Sequence, residues 1–270
     1  MAVLAGLLGV MAANGALAGD VNLLEQRVQI SLGAFTNASK LDVRVDGEAG
    51  ETGTTVDWVD TFGDQDKMRA RLDAIWRIAD RHYLRLMVTD YTRSRTRTIE
   101  EEIIWQGDVI PVGALATGKL GFEIYEAAYE YAFIKSENLE LTGSLGLHYT
   151  RLEAVLTAEV DADGEQGTVD RGGRAAVNAP LPVIGGRTLW RFHENFYVDL
   201  LAQAFYLSID DFDGTILNAR TAVTWQPKAL IGMGFGYDWF RVSVAVDRSR
   251  FNGSMDWTYS GPQLFISVSF

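Results

Sequence analysis

From Gln26 to Phe35 the chain alternates, with Val28, Ile30, Leu32 and Ala34 set against Arg27, Gln29, Ser31 and Gly33. A two-residue period of this kind predicts a strand with one apolar face. Residues 68–78 repeat it with larger side chains: Met68, Ala70, Leu72, Ala74, Trp76 and Ile78 oppose Arg69, Arg71, Asp73 and Arg77. Similar stretches at 83–98, 120–133, 139–156, 174–192, 196–208, 215–225, 229–247 and 256–270 bring the expected count to about ten strands. Eight or twelve stay open, because 229–247 is long and Tyr237-Asp238-Trp239 could turn; a single long strand is the reading adopted. Short polar breaks at 79–82, 135–138, 193–195 and 226–228 alternate with longer, more acidic connections. The expected fold is therefore all-β, an antiparallel up-and-down barrel.

After Gly19 no apolar run approaches 18 residues, so any membrane crossing has to use strands, and strands cross only as a closed barrel. An arginine facing lipid at mid-bilayer costs roughly 2–4 kcal/mol. The register of 68–78 is thereby decided, with its arginines pointing inward. Trp76, Tyr129, Tyr131, Phe133, Trp190, Phe192, Trp225 and Phe270 all fall near a short break or the C-terminus, as an aromatic girdle would.

The last ten residues read GPQLFISVSF. Leu264, Ile266, Val268 and Phe270 share one face, with Gln263, Ser267 and Ser269 on the other and Phe265 as the exception. This ending resembles the closing strand of Gram-negative outer-membrane β-barrels, which barrel assembly machinery reads; the resemblance is to a class. Residues 1–18 are uncharged and end in Ala16-Leu17-Ala18, a small-residue pattern that fits signal-peptide cleavage before Gly19, although no Lys or Arg opens the run. The expected organisation is a leader over 1–18 and one barrel domain over 19–270. The resemblance implies an outer-membrane location, with outer-membrane lipid, lipopolysaccharide and the assembly machinery as partners.

Charge divides the chain. Asp42, Asp46, Glu48, Glu51, Asp57, Asp60, Asp64 and Asp66 crowd 39–66; Glu100, Glu101, Glu102 and Asp108 follow in the second long connection. Glu159, Asp161, Asp163, Glu165 and Asp170 occupy the third, and Asp210, Asp211 and Asp213 the fourth. These predict an acidic outer rim. Within it, Val56, Trp58, Val59 and Phe62 make 54–63 unusually apolar, a candidate surface-binding loop. Arg69, Arg71, Arg77, Arg85, Arg187, Arg191 and Arg220 are expected to meet Asp73, Glu126, Glu130, Glu140 and Asp199 in the lumen. A barrel of ten strands is narrow, so such charges should pair and plug it or leave a narrow selective path.

The net charge of −12 argues against nucleic acid as a partner. The lack of Cys excludes thiolate metal sites and a Cys nucleophile. No GxSxG, HExxH, P-loop or dinucleotide fingerprint occurs, and no metal or cofactor is expected. Gly232, Gly234 and Gly236 read as room for large lumen side chains. His82 and His193 lie at predicted turns. His148 is a weak catalytic candidate, with Tyr149, Thr150 or Glu153 nearby; the Asp210-Asp211-Asp213 cluster has no adjacent His such as an omptin-like protease carries. The expected function is thus a structural or narrow-channel barrel passing a small solute, with a barrel binding a ligand, cation or surface at its loops as the alternative and a membrane-embedded hydrolase as the third.

Overall fold

The computed structural model describes residues 22–36, 38–47, 51–63, 68–161, 168–209, 212–227, 230–248 and 251–270. Its strands are β1 (Val28–Phe35), β2 (Ala38–Val45), β3 (Val56–Asp57), β4 (Arg69–Ala79), β5 (His82–Thr98), β6 (Ile103–Trp105), β7 (Asp108–Ile110), β8 (Leu115–Lys135), β9 (Leu139–Asp161), β10 (Thr168–His193), β11 (Phe196–Ile209), β12 (Phe212–Trp225), β13 (Ile231–Arg248) and β14 (Phe251–Ser269). One short helix, α1 (Trp58–Phe62), lies between β3 and β4. The leader expected over 1–18 lies outside the described residues, and no helix among those described is long and apolar enough to cross a membrane.

The main sheet runs β1-β4-β5-β8-β9-β10-β11-β12-β13-β14, every neighbour antiparallel, and β1 pairs back onto β14 to close it. β2 continues β1 in the same register along β14, as Gln29↔Ser269 and Val45↔Gly253 show, and Thr36 N donates to Pro262 O across the join. The two therefore make one stave, β3 is a two-residue addition to it, and the closed barrel has ten staves. All ten expected strands are present. The first runs further than its alternation indicated, so Asp42 belongs to the wall and not to the following connection. β13 passes straight through Tyr237-Asp238-Trp239. The third and fourth acidic connections are also shorter than expected, because β9 reaches Asp161, β10 begins at Thr168, and β11 and β12 extend to Ile209 and from Phe212. Asp163, Glu165, Asp210 and Asp211 lie outside the described residues, as do Glu48, Asp64 and Asp66.

Period-two alternation sorts the wall. Outside stand Leu32, Trp76, Ile78, Leu86, Tyr129, Phe133, Leu145, Ile184, Trp190, Phe235, Leu264 and Ile266, an apolar belt facing away from the lumen. The eight girdle aromatics are all exposed on it. Phe265, the odd member of the closing strand, points inward: it stands in register with Gly33 on β1 and Gly234 on β13. A Cβ on Gly234 would lie 2.2 Å from its ring, so the missing side chain is what seats the aromatic.

The lumen has two layers. Toward the end away from the termini it is apolar, with Phe35, Leu41, Phe122, Ile124, Leu156, Val183, Ile216, Phe240, Val242 and Trp257 buried together. Both long connections fold into this layer. Asp57 caps α1 by accepting from Val59 N (3.0 Å) and Asp60 N (2.9 Å), and Trp58 and Phe62 point into the core. The β6–β7 hairpin turns tightly at Gln106-Gly107, with φ of 53° and 85°, and sets Trp105 with its ring 5.8 Å from Trp58. Thr54 N to Ile104 O (2.8 Å) and Ile104 N to Thr54 Oγ1 (2.9 Å) stitch the two connections together. The expectation that 54–63 offers apolar side chains to a surface partner is corrected here: Val56, Trp58 and Phe62 are buried and Val59 packs against them. Burying such side chains stabilises by about 1.5–3 kcal/mol each, which is why they leave the rim.

Candidate functional site: the charged half of the lumen

Toward the turn end the lumen is polar. On β8 the strand period places Glu126 and Glu130 on the inner face, with the small Ala128 between them and opposite Arg85 on β5. That gap admits the guanidinium, whose Nε reaches Glu130 Oε1 and whose Nη2 reaches Glu126 Oε1, both at 2.6 Å. Gln203 on β11 also donates to Glu126 Oε1 (2.7 Å) and accepts from Asn218 on β12 (2.9 Å). Arg187 on β10 donates to Asp199 (2.7 Å) and approaches Glu130 (3.9 Å).

A second cluster shares the layer. Arg71 meets Asp73 on its own strand (2.9 Å) and Asp238 on β13 (2.9 Å), and Arg220 stands 3.5 Å from Asp73. Tyr83 donates to Glu140. Arg69 marks the boundary with the apolar layer, its guanidinium 3.7 Å from the centre of the Tyr91 ring. Desolvated contacts of this type contribute about 2 kcal/mol.

Two of the expected members stand apart. Arg77 donates to Leu24 O and lies over the Tyr83 ring, while Arg191 donates twice to Glu194 O in its turn. Four participants were not anticipated: Tyr83, Asp238, Gln203 and Asn218. Asp238 was readable in principle, because it continues the inward face of Gly232, Gly234 and Gly236. For Gln203 and Asn218 the alternation identifies the face, and only closure of the barrel brings them to Glu126.

His148 is fully buried, with Nε2 3.1 Å from Glu126 Oε2, a close contact that is not aligned as a hydrogen bond. Its ring stacks on Phe240 (centroids 6.4 Å, 17°) at the base of the apolar layer. Of the neighbours expected for it, Thr150 lies on the same buried face. Glu153 is engaged elsewhere, with Lys119 and Arg174. Among the described residues no group of three or more His, Asp or Glu side chains could hold a metal.

The free space is small. A cavity of about 40 Å³ is bounded by Asp73, Arg85, Arg187, Asp199, Arg220 and Phe265, room for water and little else. Another of about 10 Å³ lies at Arg69, Tyr91 and Trp257. Beneath the charged layer, Leu23 and Leu24 pack against Leu189 and Tyr197, and Leu23 N donates to Tyr197 Oη (3.3 Å), so the start of the described chain covers the mouth at the turn end. Outside the lumen, a cleft of about 590 Å³ at the loop end lies between α1 and the segment after β5, lined by Asp57, Asp60, Arg97, Glu100, Glu101 and Glu102 among others.

No protein-family model matches the chain, and no curated protein does. Among solved structures it is similar to the outer membrane protease OmpT from Escherichia coli, at 11% identity over 93% of this chain and 99% of that one, with a TM-score of 0.61. It is also similar to the translocator domain of the autotransporter NalP from Neisseria meningitidis (12% identity, 100% of this chain and 96% of that one, TM-score 0.48). A third is Ail, the attachment invasion locus protein of Yersinia pestis (12% identity, 89% and 99%, TM-score 0.35). Identities this low speak for the fold alone, which is that of the Gram-negative outer-membrane β-barrels. With the apolar belt around it, that fold places the chain in the outer membrane, where barrels of this kind turn their short connections to the periplasm.

Proposed function

We propose that this protein is a closed, structural barrel of the outer membrane and not a standing pore. The observation that carries this reading is the filled lumen: among the described residues, an apolar layer with two folded-in connections above, paired charges below, and cavities of about 40 and 10 Å³ between them. Its partners on this reading are the lipids and lipopolysaccharide around the belt, and the assembly machinery, for which Leu264, Ile266, Val268 and Phe270 form the outward face of the closing strand. Single-channel recording in a planar bilayer tests it, using protein that shows a barrel's heat-dependent gel shift. A silent trace is expected; discrete, salt-dependent steps would return the narrow-channel reading and direct attention to Arg71 and Arg85.

A second reading, surface binding of a cationic organic ligand, is favoured by the outer cleft, where five acids line about 590 Å³ with Arg97. Calorimetric titration with spermidine should then give heat that a Glu100→Gln/Glu101→Gln/Glu102→Gln variant loses. Equal heat from both proteins would remove the reading.

A further inference from the structure

Buried polar groups in folded proteins are almost always hydrogen-bonded. The charged half of this lumen carries a run of exceptions. From the periplasmic end inward, Ser269 Oγ, Ser267 Oγ, both side-chain polar atoms of Gln263, Ser144 Oγ, Arg85 Nη1 and His148 Nδ1 are buried without a protein partner. They come from three strands, β5, β9 and β14, and face one interior, where Arg85 also lines the 40 Å³ cavity. Such groups are satisfied by water, which needs a route in.

The route is set by the two closures. Outward, the path is blocked by the large apolar cluster around Phe240, Val242 and Trp257. Toward the periplasm, the covering cluster is Leu23, Leu24, Leu189 and Tyr197, which is small, and Leu23 and Leu24 belong to a segment outside the barrel wall. The weaker seal is the periplasmic one. At the inner end stands His148. Glu126 faces it from β8, with Arg85 of β5 and Gln203 of β11 behind that carboxylate; Phe240 faces it from β13, Leu181 lies opposite it on β10, and Thr150 follows on its own strand.

We propose that the charged half of the lumen is a blind, hydrated chamber entered from the periplasm, with Asn22–Leu24 as its stopper and the Glu126–His148 pair at its closed end. This rests on the closed-barrel reading, since a through-pore would admit water from both sides.

The chain has no Cys, so single cysteines report cleanly. Ser267→Cys and Ser144→Cys sample the chamber, and Val242→Cys samples the apolar half. Each is made in the full protein and in a Leu23→Ser/Leu24→Ser background, checked for folding by gel shift. Each is exposed to silver ion in micelles, and the thiols left free are counted by alkylation after unfolding. The chamber thiols should react, faster by roughly ten-fold when the stopper is loosened, the scale of a one-to-two kcal/mol change in opening. Val242→Cys should stay protected in both backgrounds. Equal chamber rates with and without the stopper substitutions, or equal gain at Val242→Cys, would overturn the chamber; if Ser144→Cys fails to fold, Ser267→Cys decides. Failure of the closed-barrel reading shows separately, as conductance steps in the unsubstituted protein.

Discussion

The two halves of the lumen solve the same problem, filling a ten-stave cylinder, by opposite means. The outer half imports material: α1 and the β6–β7 hairpin fold in from the rim and supply Trp58, Phe62, Ile103, Trp105 and Ile110. The periplasmic half fills its space from its own wall, with long charged side chains that meet at the axis, such as Arg85 between Glu126 and Glu130. The difference teaches where each kind of adhesion resides. Apolar packing gains from each added side chain and is non-directional, so a loop can provide it. Ion pairs repay their desolvation only at good geometry, so they are confined to the wall, where cross-strand register holds both partners. The outer layer should therefore fail locally and the inner layer globally.

The largest effect tests that contrast at its centre. Arg85→Ala leaves Glu126 and Glu130 without their shared cation, and breaking a buried pair in this way costs about 3–5 kcal/mol. The urea midpoint for loss of the folded gel form should fall accordingly, for the barrel as a whole. A midpoint within error of the parent would mean that the network does not hold the staves together.

Trp58→Ala should cost roughly 3 kcal/mol by removing a fully buried indole. The loss is expected locally: limited proteolysis should cut within 51–63 while the gel shift and urea midpoint of the barrel change little. Equal loss of the whole barrel would erase the distinction between imported and wall-borne filling.

The smallest effect lies outside both layers, at the periplasmic turn where Lys135 donates to Asp80. This contact holds the Asp80 carboxyl below its usual value. A depressed carboxyl contributes stability that is present at neutral pH and is lost as pH falls through the folded-state value. Lys135→Ala should thus lower the melting temperature slightly at neutral pH and not in acid, because the pair is exposed and screened. A difference that persists unchanged in acid would assign the role of Lys135 to its bond with the Asp80 carbonyl.

The inward turn of Arg69, Arg71 and Asp73 was legible because one face of 68–78 cannot face lipid. The ten staves were legible because short and long breaks alternate. The strand at 139–156 was legible, and with it the face that carries His148. What that face meets was not: His148 and Glu126 are neighbours only because β8 and β9 pair in one register. The acidic setting of 54–63 suggested exposure, yet Trp58 and Phe62 turn inward because the outer lumen has volume the wall side chains leave unfilled.

By itself, then, the sequence determined the strands, their two faces and the likeness to outer-membrane barrels, since these follow from a local two-residue period and the cost of charge in lipid. Only the tertiary structure decided which charges pair, where the two long connections go and that the lumen is shut. Those outcomes depend on closing the cylinder, which brings together residues as far apart as Arg71 and Asp238 and sets how much space is left inside.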